Sequence, residues 1–171
     1  MILFLSQYYD QPEAEYKTEY GQFSGAQTNE APVKYTISRL ASIGGKLSRI
    51  VALVTDTARR TAYRRFLKTL GDESAYGNEV IVEGKQNVYT TIVNGIEVVR
   101  IEIPNDITVT DLLIKTIDNM LPLEQNDRLI IDATGGYRIS ILSLTLFTRF
   151  LRYLGIKEEF IEFCETHKKS N

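Results

Sequence analysis

The sequence predicts an α/β protein whose core is an open, doubly wound and mostly parallel sheet of about six strands, with helices on both faces. Short apolar runs, which are typical of strands buried on both faces, occur at 2–6, 49–54 and 128–132. Segments with helical periodicity alternate with these runs. A β-rich stretch between 78 and 104 adds a β-hairpin extension.

The elements of the first half follow from local signals. After the strand at 2–6 comes a polar, Tyr-rich stretch, which we interpret as a long loop over 7–30 and as a candidate binding loop or lid. A helix begins near Ala31-Pro32 and ends at Gly44-Gly45. After the strand at 49–54, Thr55-Asp56-Thr57 provides a cap for a helix over 58–70.

The second half has equally clear boundaries. "EVIVE" and "NVYTTIV" precede the hairpin signal Asn94-Gly95, and "IEVVRIEI" follows it. Thr110-Asp111 opens a helix to about Leu121, and the strand at 128–132 leads to a helix over 138–154. The alternating "EFIEFCE" near the end predicts an edge strand. The fold class is therefore Rossmann-like.

Composition limits the class of protein. A chain of 171 residues predicts a single domain over 1–171 with a flexible tail at about 166–171. A net charge of -2 with 43% apolar residues indicates a soluble globular protein. The lone Cys164 fits a buried strand residue in a reducing cytoplasm, and neither a leader nor a membrane span is expected.

The scarcity of histidine limits the chemistry. The single His167 lies in the polar tail, so a histidine-pair ribonuclease, a histidine metal cluster and a Ser/His/Asp triad all lack support. We predict no metal and no cofactor. A cytoplasmic binding protein, or an enzyme that works through orientation and charge, remains.

The turn after the strand at 128–132 is the main candidate site. In doubly wound sheets ligands bind at the carboxyl ends of the strands, where the loops after Ser6, Val54 and Asp132 should converge. Gly135 and Gly136 let a ligand approach the backbone, and Thr134 with the following helix start offers hydroxyl and N–H donors to a phosphate. The spacing fits neither a Walker A loop nor GxGxxG. The alternative is a tight turn without a ligand.

Arg138 and its neighbour Tyr137 extend this site. The helix dipole disfavours a cation at a helix amino terminus by about 0.3 to 1 kcal/mol, and an anionic ligand would reverse that penalty. The alternative for Arg138 is a surface arginine that pairs with a carboxylate.

Polar and aromatic residues from the other loops join the candidate site. Ser6, Gln7 and Tyr8 follow the first strand, and Tyr8 with Tyr9 could stack on bases or pack under the loop. Phe23 and Ser24, flanked by glycines, have the composition of a mobile flap with an aromatic tip or of a plain surface loop. Thr55 and Asp56 either contact the ligand or cap the next helix. The basic run Arg59, Arg60, Arg64 and Arg65 indicates a solvated face or, as the alternative, a phosphate contact.

The helix at 138–154 is apolar on nearly all sides. One side is enough to pack on its own sheet, so the surplus predicts a twofold homodimer through this helix.

The segment Asp132-Ala133-Thr134-Gly135-Gly136-Tyr137-Arg138 resembles the signature of CRISPR-associated Rossmann-fold (CARF) sensor domains. That signature is a strand ending in Asp-x-Thr, then Gly or His-Gly, then a basic residue after one intervening position. The first strand ending at Ser6 and the end of the second at Val54-Thr55-Asp56-Thr57 extend the resemblance over most of the chain.

The resemblance implies a cyclic oligoadenylate sensor of type III CRISPR antiviral signalling, with the ring at the twofold axis of a dimer. Thr134, Gly135, Gly136 and Arg138 would hold phosphates and ribose, and Ser6 with its neighbours would approach from the first loop. Two identical half-sites suit a symmetric ring. Cyclic tetra-adenylate (cA4) is the favoured ligand and cyclic hexa-adenylate (cA6) the alternative. The chain would then be a stand-alone sensor, a ring nuclease or an excised sensor domain, with an effector domain or protein as a further partner.

Two other functions remain open. In a metal-independent ring nuclease, a ribose 2′-OH attacks the adjacent phosphate, Arg138 stabilises the developing charge, and Ser6 and Thr134 orient the ribose. Outside the family, the chain would be a generic nucleotide-binding α/β module.

Overall fold

The computed structural model describes residues 1–5, 14–25, 29–120, 128–134 and 138–161, and gives the backbone alone at 14, 120, 138–140 and 157–161. Within these residues the main sheet has seven strands: β1 (Ile2–Leu5), β4 (Arg49–Thr55), β5 (Val80–Ile81), β6 (Val88–Val93), β7 (Ile96–Ile103), β8 (Arg128–Asp132) and β9 (Lys157–Ile161). A separate hairpin consists of β2 (Ala14–Thr18) and β3 (Gly21–Gly25). The helices are α1 (Glu30–Ser42), α2 (Ala62–Thr69), α3 (Val109–Met120) and α4 (Arg138–Tyr153), with a short 3₁₀ helix at Glu73–Asn78.

The sheet order is β5-β6-β7-β4-β1-β8-β9. The five strands from β7 to β9 in that order run parallel, while β6 and β5 are antiparallel at one edge. Numbered along the chain, the parallel strands therefore lie in the order 3-2-1-4-5, which is the order of doubly wound nucleotide-binding sheets. The predicted fold class is confirmed, with one strand more than the six expected because Val80–Ile81 pairs with β6.

Apolar residues of the central strands alternate between the two faces of the sheet. Leu3, Leu5 and Val54 pack with α1 and α2 in one buried cluster. Ile2 and Phe4 pack with α3 and α4 in another, through Leu112, Leu144, Phe147 and Leu151. Because both faces are covered, these strands need apolar residues at every position, and this explains the continuous apolar runs in the sequence.

Most predicted boundaries agree with the structure, but two predictions are wrong. The helix expected over 58–70 begins at Ala62, because the Thr55 carbonyl accepts hydrogen bonds from the N–H groups of Ala58 and Arg59 in a separate turn. The long loop expected over 7–30 contains the β2–β3 hairpin. The Asn94-Gly95 hairpin is confirmed, with φ of 50° and 77°.

The β2–β3 hairpin is stabilised by packing on α1. Tyr16 and Phe23 are register partners across the hairpin, and the Phe23 ring meets Tyr35 of α1 edge to face at 6.3 Å. Tyr20 in the turn also meets Tyr35, at 5.6 Å. Burial, followed by the negative charge of Glu30, raises the pKa of Tyr16. The hairpin therefore depends on a tertiary contact that its own sequence does not reveal.

A buried ion network ties β7 to α2 and the 3₁₀ helix. Arg100 donates three hydrogen bonds to Glu79, two of them from Nε, and one to Glu102, and its guanidinium lies 3.9 Å from the centre of the Tyr89 ring. Burial lowers the pKa of Arg100, but the two carboxylates more than offset it, so the net shift is upward.

No helix among the described residues is long and apolar enough to cross a membrane.

We predict that Arg100→Ala lowers the free energy of unfolding by about 3 kcal/mol or more, since it leaves the buried Glu79 without its cation and Glu102 paired with Arg59 alone. Urea unfolding followed by circular dichroism measures this loss. The matched control is Arg64→Ala, whose 3.6 Å pair with Glu73 is half exposed, and which should cost no more than about 1 kcal/mol. Equal effects of the two substitutions would contradict a structural role for the network.

Candidate functional site

The winding of the chain reverses at β1. The first two crossovers build outward through β4 to β7, and the chain then returns to the other side of β1 to form β8 and β9. In sheets of this topology the loops on the two sides of the reversal lead to opposite faces, and ligands bind between them at the carboxyl ends of the strands. Asp132 is the last residue of β8 and so lies at this end of the sheet, beside the reversal.

The Asp132 carboxyl group organises the start of the loop after β8. Its side chain is fully buried. One oxygen, Oδ1, accepts the backbone N–H of Thr134 at 2.9 Å, and the other, Oδ2, accepts Nδ2 of Asn29 at 2.7 Å. The first bond closes a local turn of the type that aspartate makes with the backbone two residues on. Thr134 is thus held against the end of β8 at the start of the predicted phosphate turn.

The environment of Asp132 favours its neutral form. Burial raises the pKa of its carboxyl group, and the hydrogen bonds from Thr134 and Asn29 offset this only in part. Among the described residues, no ion pair with Asp132 is found. A buried carboxyl group destabilises the folded protein unless hydrogen bonds replace its lost contacts with water. Here both oxygens of Asp132 have such a bond.

Asn29 was not predicted as a site residue. It precedes α1 and is 1% exposed, and its side chain makes no capping bond to the helix. The "NEAP" pattern at 29–32 indicates a helix start, which is a signal for a cap. No local signal indicates a partner 103 positions away.

Thr55 and Asp56 lie at the end of β4, which is adjacent and parallel to β1. Thr55 is buried, and its hydroxyl lies 3.3 Å from the N–H of Ala58 and 3.2 Å from the hydroxyl of Thr57. Asp56 is exposed. The prediction that Thr55 caps the next helix is wrong, because its hydroxyl accepts a bond in a separate turn and the residue before α2 is Thr61. A ligand contact by Thr55 or Asp56 stays a prediction.

Phe23 and Ser24 lie within β3 and not at a tip. The turn of the hairpin is formed by Glu19 and Tyr20, so the aromatic residue at the tip is Tyr20 and not the predicted Phe23. The Ser24 carbonyl accepts Nζ of Lys34 at 2.5 Å. Both residues are half-buried against α1, which makes the flap interpretation wrong for these two positions, while a ligand contact by them stays a prediction.

Several predicted site residues lie outside the described residues. These are Ser6, Gln7, Tyr8, Gly135, Gly136 and Tyr137. Arg138 begins α4, but its side chain is not described. Cys164, His167 and the tail are also outside this part of the chain.

Three of the four arginines in the basic run on and before α2 have carboxylate partners. Arg59 pairs with Glu102 at 3.2 Å and Arg64 with Glu73 at 3.6 Å. Arg65 pairs with the buried Glu30 at 2.6 Å and so joins α2 to the start of α1. These contacts favour a structural role for the run over a phosphate site. Within the described segments, no cluster of three or more His, Cys, Asp or Glu could hold a metal ion.

The surface of α4 carries surplus apolar residues, as predicted. Leu144, Phe147 and Leu151 pack into the core. On the other side Leu142, Leu146, Phe150 and Tyr153 are exposed, and Tyr153 is 88% exposed. Their spacing of three or four residues places them in one stripe along the helix. We call these four residues the α4 stripe.

Comparison of the chain with protein-family models, with curated proteins and with solved structures gives no match.

We predict that Asp132→Asn changes how stability depends on pH. Above the ordinary carboxyl pKa of 3.8, the folded protein binds more protons at Asp132 than the unfolded chain, because burial raises the folded pKa. The free energy of unfolding therefore falls as pH rises through the raised pKa, by at most about 1.4 kcal/mol per pH unit. The asparagine variant lacks this loss.

Urea unfolding of both proteins over a pH series from about 4 to 8 measures the effect. The variant should gain stability relative to the wild type as pH rises. Asp106→Asn, at an exposed position, is the control and should show no comparable trend. A wild-type to Asp132→Asn difference that is constant with pH would contradict the raised pKa.

Proposed function

We propose that this chain binds a cyclic oligoadenylate and acts as a sensor domain in type III CRISPR antiviral signalling. The observation that carries the proposal is the turn that Asp132 holds at the reversal point of a doubly wound sheet. Sites at this point bind nucleotides in many unrelated proteins. The sequence of the turn, Thr134 to Arg138, then selects the class of nucleotide by its resemblance to the CARF signature.

The proposed contacts follow from the chemistry of the turn. Backbone N–H groups at Gly135 and Gly136 and the start of α4 would face a phosphate, with Arg138 adding a charge-assisted bond. Thr134 would bind a ribose or phosphate oxygen. Ser6, Gln7 and Tyr8 would contact the ring from the β1 side, and Tyr137, Thr55 and Asp56 would line the site. A ligand with several linked phosphates suits a site built from a short turn and one cation.

The ring would bind between two copies of the chain. The α4 stripe is exposed and apolar, and α4 begins at Arg138, directly after the proposed phosphate turn. A twofold interface is self-complementary, so one apolar stripe can cover its own copy. Pairing of two α4 helices would bring two turns toward one axis. A second copy of this chain is therefore the occupant that we assign to the stripe.

The direct test is isothermal titration of the protein with cyclic tri-, tetra- and hexa-adenylate. We expect binding of cyclic tetra-adenylate with one ring per two chains, and absence of binding to every ring would remove the proposal. Incubation of the bound ring, followed by analysis for linear products with 2′,3′-cyclic phosphate ends, separates a sensor from a ring nuclease. An intact ring supports the sensor, and catalytic turnover would assign the nuclease activity.

We predict that Arg138→Ala weakens ring binding by about 1 to 3 kcal/mol, as expected for the loss of a charge-assisted contact. Arg128→Ala, which removes an exposed charge from the amino end of β8, away from the proposed site and from the α4 stripe, is the matched control and should retain affinity within about threefold. Titration of both variants with the ring that the wild type binds gives the comparison. Unchanged affinity of Arg138→Ala would remove that residue from the site.

We predict that Leu146→Glu converts the dimer to a monomer, because a charge buried in an apolar interface costs a few kcal/mol. Sedimentation equilibrium should show at least about a tenfold rise in the dimer dissociation constant. Ile92→Glu places the same charge on an exposed residue of β6 and should leave the dimer intact. A wild type that stays monomeric throughout would refute the assignment of the stripe to a second copy.

A further inference from the structure

The side chains of Asn29 and Asp132 join two segments that lie 103 positions apart in the chain. Both are buried, at 1% and 0% exposure, and the Asn29 Nδ2 to Asp132 Oδ2 distance is 2.7 Å. Asparagine at the residue before a helix ordinarily accepts an N–H bond from the first turn. Asn29 makes no such bond. Its side chain is used to hold Asp132 instead.

The same carboxyl group holds the turn at Thr134. Oδ1 accepts the Thr134 N–H while Oδ2 accepts Asn29. The two oxygens belong to one planar group, so displacement of either partner changes the geometry of the other bond. The start of α1 and the turn after β8 are therefore positioned by a single side chain.

On the other side, the first turns of α1 hold the hairpin. Lys34 donates to the Ser24 carbonyl at 2.5 Å, and the Tyr35 hydroxyl donates to Glu19 at 3.0 Å. The Phe23 ring packs on Tyr35. The β2–β3 hairpin should therefore move with α1 and not independently of it.

We propose that Asn29 is a positioning residue that fixes the β2–β3 hairpin relative to the Thr134 turn, so that both segments meet one ligand in a set geometry. The proposal rests on the proposed function for its ligand, but its structural part holds for the free protein. Without the bond, a ligand that contacts both segments must order them itself, and its affinity falls by the cost of that ordering.

Three variants test the proposal: the single variants Asn29→Ala and Asn29→Asp, and the double variant Asn29→Asp/Asp132→Asn. Asn29→Asp places two carboxyl groups against each other. The double variant restores complementarity, because the new amide at position 132 can donate to the new carboxylate at position 29 and still accept the Thr134 N–H. Asn105→Ala, at an exposed asparagine in the loop after β7, is the control.

The first measurement is amide hydrogen exchange of the ligand-free proteins. Both single variants at 29 should raise exchange about tenfold or more at Thr134 and in the β2–β3 hairpin, with β4 and β7 unchanged. The double variant should return the hydrogen-exchange rates of both segments to those of the wild type. Unchanged rates, a uniform rise over the whole sheet, or no recovery in the double variant would each overturn the coupling.

The second measurement is titration with cyclic tetra-adenylate. Asn29→Ala should bind the ring about tenfold more weakly than the wild type, and the double variant should bind it with wild-type affinity. Wild-type affinity in Asn29→Ala would overturn the positioning role, even if the amide hydrogen-exchange rates of that variant differ from those of the wild type. If the wild type binds no ring, the proposed function fails, and the exchange data still decide whether Asn29 couples the two segments.

Discussion

The reversal of winding at β1 is the constraint on which the other features depend. Because crossovers between parallel strands share one hand, a chain that builds outward on one side of β1 and then on the other must place its helices on opposite faces. The two apolar clusters, one with α1 and α2 and one with α3 and α4, reflect this arrangement. The same topology makes the carboxyl ends of β1 and β8 the expected binding position, before any particular side chain is considered.

Asp132 fixes the local structure at the carboxyl end of β8. A buried carboxyl group costs several kcal/mol unless hydrogen bonds replace water, and an apolar residue would fill the position at lower cost. The protein retains the carboxyl group and gives each oxygen a partner, one in the following turn and one before α1. Burial raises the pKa of the Asp132 carboxyl group, because its charged form is removed from water. Such a cost is easiest to understand where loop geometry serves binding.

The strands and helices could be predicted because each carries its own signal. The apolar runs at β1, β4 and β8 and the Asn94-Gly95 turn are local patterns. The β2–β3 hairpin could not, because its Glu19-Tyr20 turn lacks a hairpin signal and its aromatic residues find their partner in Tyr35 of α1. The motif at 132–138 indicated the turn, but the contact with Asn29 depends on which strands are neighbours, and a single sequence does not encode that locally.

A two-dimensional amide spectrum of the protein titrated with cyclic tetra-adenylate would test ring binding at the Asp132 turn most directly. If the ring binds there, the amide signals of residues 132–138 should shift first and most, with smaller shifts in the hairpin at Phe23 and Ser24. Signals of the basic run from Arg59 to Arg65 should stay in place. Absence of any shift, or shifts centred on that basic run, would contradict the proposal that the turn after β8 recognises the ring.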